Sequence, residues 1–305
     1  MKKNRTIVVF GGTGYYGREV VKRLVERKES IRVVSRDLTL ARSVVGLMPQ
    51  IIQGDVRDKD IVRMAMLNAK AVIICLSAGK PKLIRRMKEI ERDSVIQIMD
   101  EAARNKIERL VYMSGYDLKP DILKKLNILD FGQTKIEIES RIRKSGFNWT
   151  ILGDAPSFEL FFSLLKKNRL IIPGGGEKPF PSISADDVGE ITAQVVLRND
   201  LSGRRLRLTG PEALTFPEIA DRIKEITGKN IRCVAPPLGL INIVSYITKP
   251  VYPFIRYIYK SLKLLNNFPE EISREVARDH QVLRELFDYQ PVSIEDEIRQ
   301  RLGTL

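Results

Sequence analysis

Three evenly spaced glycines offer the first pattern that could carry chemistry. Gly11, Gly14 and Gly17 directly follow the apolar run 7–10 and precede a helical pattern. Glycine permits a sharp turn, and it lets backbone N–H groups approach a diphosphate while the helix N-terminus adds positive charge. A P-loop is disfavoured because no Lys-Ser/Thr pair follows the last glycine, and a plain strand-to-helix turn is the alternative. The predicted cofactor-contacting residues of this loop are Gly11, Thr13, Gly14, Tyr15, Tyr16 and Gly17.

A basic residue stands where the adenosine ribose of a dinucleotide would lie. The second apolar run, 31–34, is followed by Ser35, Arg36 and Asp37. In NAD-binding folds an acid at this strand end accepts hydrogen bonds from the ribose, whereas the guanidinium of Arg36 suits a 2′-phosphate. Asp37 is then free to cap the next helix. We therefore predict NADP(H) as the cofactor, with NAD(H) as the second choice and a solvated surface charge as the alternative for Arg36.

Two further strand ends are predicted to border the cofactor. Asp55 follows Gly54 at the end of the third run, where it would lie near the adenine amino group or else cap a helix or turn. The small residues after the fourth run would let the cofactor pass close to the backbone. The cofactor-lining residues predicted at these two ends are Asp55, Val56, Leu76, Ser77 and Ala78.

Short apolar runs alternate with helical patterns over the first half of the chain. The runs predicted as strands are 7–10, 31–34, 51–52, 71–74, 110–113 and 149–152. This alternation predicts an α/β fold of the Rossmann type, a doubly wound parallel sheet with helices on both faces. Further helices are predicted at 82–104 and 135–144, the second ended by Gly146, and caps at Ser184, Thr215 and Ser293. We assign 1–155 to the nucleotide-binding core and 156–305 to a smaller, mostly helical substrate-binding cap interleaved with it.

Composition narrows the class of protein. The chain has 305 residues, and 52 Lys and Arg against 38 Asp and Glu give it a net charge of +14. Such an excess favours anionic partners such as phosphate ligands. Two cysteines and one histidine are too few for a disulfide framework or a zinc site, so no metal is predicted, and His280 is expected to be solvated. No uncharged apolar run reaches the ~18 residues of a membrane span, and we expect a soluble cytoplasmic protein.

One long segment contains no acid. Residues 230–269 carry five positive charges interleaved with apolar and aromatic residues. In one interpretation these residues cover the substrate cleft, which would then prefer a bulky, apolar small molecule. In the other, the part 238–265 contacts a protein partner or an anionic membrane surface, which would make the protein peripheral at that membrane. No nucleic acid is expected, because nothing else in the sequence supports it.

Taken together, these residues resemble the short-chain dehydrogenase/reductase superfamily, specifically its atypical NmrA-like branch. The segments that carry the resemblance are 11–17, Arg36, 54–55, 112–115, Lys135, 145–152, 184–188 and 208–212. They cover about residues 5 to 230. The resemblance implies a Rossmann domain with a small substrate-binding part and NADP(H) binding.

The resemblance also implies a catalytic set, with one departure. Classical members use a serine, a tyrosine and a lysine; Ser114 and Lys135 match by position, but Phe131 stands at the tyrosine position and cannot transfer a proton. Lys135 would then anchor the nicotinamide ribose and act as the acid or position a water, or Tyr116 would supply a hydroxyl, while Tyr112 is expected to pack beside the sheet. The catalytic candidates are Lys135, Ser114 and Tyr116.

Two functions remain open at this point. The first is an NADP(H)-dependent oxidoreductase that acts on a fairly apolar small molecule. The second is a non-catalytic NADP(H)-binding redox sensor or assembly protein, as in NmrA-type regulators, and Phe131 favours it.

Overall fold

A computed structural model describes residues 6–303. Its strands are β1 (Thr6–Phe10), β2 (Ile31–Ser35), β3 (Gln50–Gln53), β4 (Ala69–Ile74), β5 (Arg109–Gly115), β6 (Asn148–Asp154), β7 (Leu165–Lys166), β8 (Arg169–Ile171), β9 (Phe180–Pro181), β10 (Arg204–Leu208), β11 (Ala213–Leu214) and β12 (Arg232–Val234). Its helices are α1 (Tyr15–Glu26), α2 (Leu38–Val45), α3 (Lys59–Met66), α4 (Ser94–Arg104), α5 (Pro120–Lys125), α6 (Leu129–Arg143), α7 (Glu159–Leu164), α8 (Ala185–Val196), α9 (Phe216–Thr227), α10 (Leu238–Thr248), α11 (Phe254–Asn266), α12 (Glu270–Leu286) and α13 (Ile294–Leu302).

Seven parallel strands form the central sheet in the order β10-β6-β5-β4-β1-β2-β3. All six strands predicted from the apolar runs are present, and the doubly wound Rossmann-type fold is confirmed. The seventh strand, β10, comes from the second half of the chain and pairs in parallel with β6. The return from β3 to β4 crosses β1 and β2, so that the strands on either side of β1 leave a crevice at their carboxyl ends.

Alternating side chains of the strands build a core on each face of the sheet. In β1, Ile7 and Val9 pack into one apolar cluster with α1 and α8, whereas Val8 and Phe10 pack into the other with α3, α4 and α6. Every residue of β1 is buried. A strand covered on both faces is apolar throughout, which is why β1 shows no polar alternation in the sequence.

Several helix ends follow the predicted caps. The carboxylate of Asp37 accepts the Leu40 N–H at 2.9 Å and caps α2, as predicted. Ser184 caps α8, and Thr215 and Ser293 form capping boxes at α9 and α13. The prediction at Gly146 was wrong. Helix α6 already ends at Arg143, and Gly146 does not have a left-handed conformation.

The predicted helix 82–104 is broken into three pieces. A 3₁₀ turn spans Ile84–Arg86, a π-helical turn spans Glu89–Asp93, and only Ser94–Arg104 is regular α-helix. The π turn places the buried carboxylate of Glu91 where its Oε1 accepts the Ala78 N–H at 2.6 Å. The Glu91 side chain therefore satisfies one buried N–H of the loop that follows β4.

The C-terminal helices extend the fold over one end of the crevice. Helix α11 packs on α6, and α12 packs on β10. Two small sheets, β12-β8-β7 and β11-β9, lie beside them. Within residues 6–303 no helix is both long and apolar enough to cross a bilayer.

Candidate functional site

A cleft of about 1150 Å³ lies at the carboxyl ends of the parallel strands. Its walls are the loops that follow β1 to β6, closed on one side by the end of α11. The cleft is lined by most of the residues predicted from sequence, namely Gly11, Thr13, Gly14, Tyr15, Tyr16, Arg36, Asp55, Val56, Leu76, Ser77, Ser114, Tyr116 and Lys135. Two predicted residues, Gly17 and Ala78, lie behind this lining.

The glycine loop turns tightly against β4. Gly11 has a φ of +82°, and a Cβ there would lie 2.5 Å from the Cys75 carbonyl oxygen. The Gly14 N–H donates to Gly11 O at 2.8 Å. Gly17 does not line the cleft. Glycine is needed there because a Cβ would collide with the Gly11 carbonyl. These contacts explain the glycine at each of the three positions.

The N-terminus of α1 is left without a side-chain cap. Gly14 is the N-cap, and no acid occupies the first turn. The first N–H groups of this helix therefore have no intrahelical partner and carry the positive end of the helix dipole. They border the cleft beside Thr13 and Gly14, which is an arrangement suited to a diphosphate.

Tyr15 and Tyr16 connect this helix start to the end of β6. The Tyr16 hydroxyl donates to Ala155 O at 3.1 Å, and Tyr15 Oη accepts from Ser157 Oγ at 2.9 Å. Burial raises the pKa of Tyr16 well above its ordinary value. Both hydroxyls are therefore neutral structural ties between α1 and the segment after β6.

Arg36 is exposed at the end of β2 and lines the cleft. Among residues 6–303, no carboxylate lies within 4.0 Å of its guanidinium. The neighbouring Asp37 is engaged as the cap of α2. Arg36 is thus a cation on the wall of the cleft that forms no ion pair within the described chain and is available to a ligand.

Asp55 holds a second arginine. Its carboxylate accepts from Arg57 Nε at 3.0 Å and Nη2 at 2.9 Å, and Arg57 also pairs with Glu89 at 2.8 Å. The hydrogen bonds from Arg57, assisted by the charge of Arg36, hold the pKa of Asp55 below its ordinary value. Asp55 borders the cleft as one partner of an ion pair.

Lys135 on α6 and Ser114 near the end of β5 both line the cleft. Lys135 Nζ donates to Met113 O at 3.3 Å and lies 5.5 Å from the centre of the Tyr112 ring. Burial favours the neutral amine, but Tyr112, Glu91 and Asp154 outweigh it and raise the pKa of Lys135, which stays an ammonium. Ser114 Oγ is buried and has no hydrogen-bond partner within residues 6–303. Tyr112 is buried in the sheet, as predicted.

Phe131 lies one helical turn before Lys135 and also lines the cleft. Its ring packs on Tyr257 of α11 with centroids 5.3 Å apart. The Tyr257 hydroxyl lies against Gly79, where a Cβ would come within 2.8 Å of the oxygen. The position of the missing tyrosine is thus covered by an aromatic residue from a distant segment, which sequence spacing gave no means to find.

Tyr116 is drawn toward α12. Its hydroxyl donates to Asp279 Oδ2 at 2.8 Å, and Asp279 pairs with Arg207 at 3.0 Å. Burial and the Asp279 carboxylate raise the pKa of Tyr116 far above its ordinary value. The hydroxyl that was a catalytic candidate is therefore committed to an ion-pair network at the edge of the cleft.

Asp154 was not predicted as a site residue. It is the last residue of β6, it lines the cleft, and its Oδ1 is buried without a hydrogen-bond partner within residues 6–303. Burial raises its pKa to about 8, although Lys135 and Arg205 act in the opposite direction. The signal in the sequence was an acid directly after an apolar strand, at the same sheet edge as Ser114.

The described chain contains no group of three or more His, Cys, Asp and Glu side chains arranged to hold a metal ion. His280 is not the solvated histidine expected from the sequence. It is half-buried, and its Nδ1 lies 3.2 Å from Thr209 O. Burial lowers the pKa of His280.

Comparison with known proteins gives one family and several distant relatives. The NmrA-like family matches residues 3–298. The mitochondrial NADH-ubiquinone oxidoreductase 40 kDa subunit of Neurospora crassa is 22% identical over 254 residues, which are 81% of this chain and 64% of that protein. The NAD(P)H azoreductase of Xenophilus azovorans is 24% identical over 75% of this chain and 76% of its own length.

Among solved structures, an NADPH-dependent quinone oxidoreductase from Escherichia coli, complexed with NADPH, has the same fold. Its TM-score is 0.75 at 16% identity, over 97% of this chain and 99% of that one.

Proposed function

Because the chain belongs to the NmrA-like family, we propose that it is an NADP(H)-dependent oxidoreductase that reduces a fairly apolar small molecule. One observation carries the proposal. A single cleft has an uncapped helix N-terminus and an available arginine at one end, and an ammonium beside a buried carboxyl at the other. Groups that bind anions and groups that can donate a proton are thus arranged along one cleft, where a single elongated ligand would contact both.

The residues present fit a phosphorylated dinucleotide. The N–H groups at the start of α1 would hold the diphosphate, and Arg36 would hold the 2′-phosphate of adenosine. Lys135 would hold the nicotinamide ribose. Bound NADPH supplies a hydride to an acceptor. The protein's own groups at that end fix the ring, exclude water and provide a proton.

The acceptor end of the cleft is apolar. Besides Phe131, the residues there include Leu118, Ile122, Leu123, Leu160, Leu264 and Phe268. Such a wall favours a flat, conjugated molecule whose reducible atoms are oxygen or nitrogen. The names of an azoreductase relative and a quinone oxidoreductase neighbour support this substrate class.

The test is NADPH oxidation by the purified chain across a panel of quinones, azo compounds and enones, together with calorimetric titration of NADPH and NADH. We expect tighter binding of NADPH and turnover with at least one apolar acceptor. If calorimetry detects no binding of either coenzyme, the assignment is wrong.

A second candidate function rests on a different surface. Helix α10 and the loop after it expose a set of apolar side chains, namely Leu240, Ile243, Val244, Tyr246, Ile247, Val251 and Tyr252. Lys249 lies among them, and Arg85 donates to the carbonyls of Pro250 and Val251. An apolar face with cations and no acid suits an anionic membrane surface, where the protein would serve as a non-catalytic NADP(H) sensor or assembly factor.

Vesicle sedimentation separates the two candidates. With vesicles rich in phosphatidylserine we expect binding that is lost in an Ile247→Glu variant and kept in Leu40→Glu, a matched exposed leucine on α2. Tight NADPH binding without turnover on any acceptor, combined with this vesicle binding, would favour the second function over the first.

A further inference from the structure

Asp154 is the last residue of β6, the second strand from one side of the central sheet, and it lines the cleft. In the strand register it lies beside Gly115 of β5 and Leu208 of β10. The Asp154 carboxyl belongs to a residue that lines the same cleft as Lys135, and three strands, β5, β4 and β1, separate its strand from β2, which Arg36 follows. It is therefore at the acceptor end, away from Arg36.

No structural role of the Asp154 carboxyl explains why it is buried. The N–H groups of Arg205 donate hydrogen bonds to Gly115 O, Tyr116 O and the Glu139 carboxylate. Lys135 Nζ gives a hydrogen bond to Met113 O, and neither cation lies within ion-pair distance of Asp154. Buried polar atoms in proteins are almost always paired, and an unpaired one in a cleft indicates a functional role.

The protonation state of Asp154 follows from its surroundings. Burial raises its pKa to about 8, so that near neutral pH the side chain is largely the neutral acid. The charged or titratable groups that face it are Lys135 on α6, Arg205 on β10, Tyr16 on α1, Tyr112 on β5 and Cys75 after β4. Burial raises the pKa of each tyrosine and of the thiol above its ordinary value, so these groups hold their protons more tightly than Asp154 does.

We propose that Asp154 is the catalytic residue that delivers the proton of the reduction, with Lys135 stabilising the carboxylate that results. The inference rests on the proposed reductase function. The acceptor gains two electrons and one hydrogen as hydride from NADPH, and its oxygen or nitrogen forms a bond to the carboxyl proton as the Asp154 O–H bond breaks. The carboxylate regains a proton from water through the open cleft, and the sum is acceptor, NADPH and H⁺ giving reduced acceptor and NADP⁺.

The test compares Asp154→Asn with Asp100→Asn, the same change at an exposed aspartate of α4 that does not line the cleft. General acid catalysis contributes roughly 10²–10⁴-fold, so turnover in Asp154→Asn should fall at least about 100-fold. The NADPH dissociation constant should stay within about twofold, and Asp100→Asn should remain fully active. Wild-type turnover should decline as pH rises through about 8, and the residual turnover of Asp154→Asn should lack that decline.

A second measurement does not depend on turnover. Infrared difference spectroscopy of the cofactor-free protein should show the carbonyl band of a protonated carboxyl at neutral pH. Because burial also raises the pKa of Asp187, to about 7, the band that belongs to Asp154 is the part of the wild-type signal that Asp154→Asn lacks, and it should vanish in alkali. A missing band in the wild type, or unimpaired turnover by Asp154→Asn, overturns the inference while leaving the reductase function standing; an inert wild-type chain that binds NADPH overturns the reductase function and the inference with it.

Discussion

The ring of Tyr257 on α11 lies 5.3 Å, centroid to centroid, from the ring of Phe131 on α6. Phe131 precedes Lys135 by one helical turn, so this contact joins the C-terminal helices to the part of the cleft that Lys135 lines. The charge of Lys135 acts to lower the pKa of Tyr257, while burial raises it. The acid-free segment 230–269 thus contributes to the cleft, since Ser261, Leu264 and Phe268 line it and Tyr257 packs on Phe131.

Tyr257→Ala should therefore weaken acceptor binding and spare the cofactor. Losing the ring removes the support behind Phe131, which lines the cleft, and we expect the KM for the acceptor to rise about tenfold, since an aromatic pair contributes about 0.5–1.5 kcal/mol beyond its buried area. The NADPH dissociation constant should not change, because Arg36 and the glycine loop lie at the other end. Steady-state kinetics with Tyr252→Ala as the matched control checks this, and an unchanged KM would contradict it.

Arg36→Ala should weaken the binding of NADPH much more than the binding of NADH. A charge-assisted hydrogen bond to phosphate is worth about 1.5–3 kcal/mol, so NADPH should bind about 10–100-fold more weakly. NADH, which lacks the 2′-phosphate, should lose less than about twofold. Calorimetric titration measures both constants, with Arg63→Ala on α3 as a control for loss of a surface arginine. Equal losses for the two coenzymes would remove the role given to Arg36.

Local patterns predicted much of the fold and half of the site. The strand-turn-helix at residues 11–17 and the cap at Asp37 depend on residues that are neighbours in the chain, so their spacing is visible in the sequence. Strand β10 and the contacts of Tyr257 depend on where distant segments pack, and no period in the sequence encodes that. Asp154 lies between these cases. Its position at a strand end can be predicted from the local sequence, but its burial in the same cleft as Lys135 depends on tertiary packing.

Gly17→Ala should disrupt both folding and cofactor binding. Its Cβ would meet the Gly11 carbonyl oxygen, which is backbone and cannot rotate away, so α1 must shift from β1. We expect a loss of about 2 kcal/mol or more in the free energy of unfolding, a value typical of an overpacked site. Urea denaturation and NADPH titration measure the two effects. Gly146→Ala is the control, since nothing lies within 4 Å of its Cβ position.

Lys135→Met should abolish turnover while keeping the fold. The thioether retains the buried apolar stem but loses the ammonium that faces Asp154. Because that charge lowers the pKa of Asp154, its removal should move the infrared titration of the carboxyl to higher pH. Circular dichroism should show an unchanged fold. Full activity in this variant, or a carboxyl titration that does not move, would end the role assigned to Lys135.

Asp187 gives a pH dependence of stability that is separate from the active site. Its carboxylate, buried on α8, accepts the Val292 N–H at 3.2 Å. Burial raises its pKa to about 7, above the ordinary value of 3.8. The folded chain therefore holds a proton that the unfolded chain releases, and stability from this group is lost as pH rises from about 4 to about 7.

Asp187→Asn removes that titration. The free energy of unfolding of the variant minus that of the wild type, measured by urea denaturation, should increase by about 2 kcal/mol between mildly acidic and mildly alkaline pH. Each pH unit in the window contributes at most about 1.4 kcal/mol, and screening reduces the sum. The Asp154 carboxyl imposes a slope of the same sign on both proteins, so it cancels in the difference. A difference that is constant with pH would show that Asp187 is ionised in the folded chain throughout.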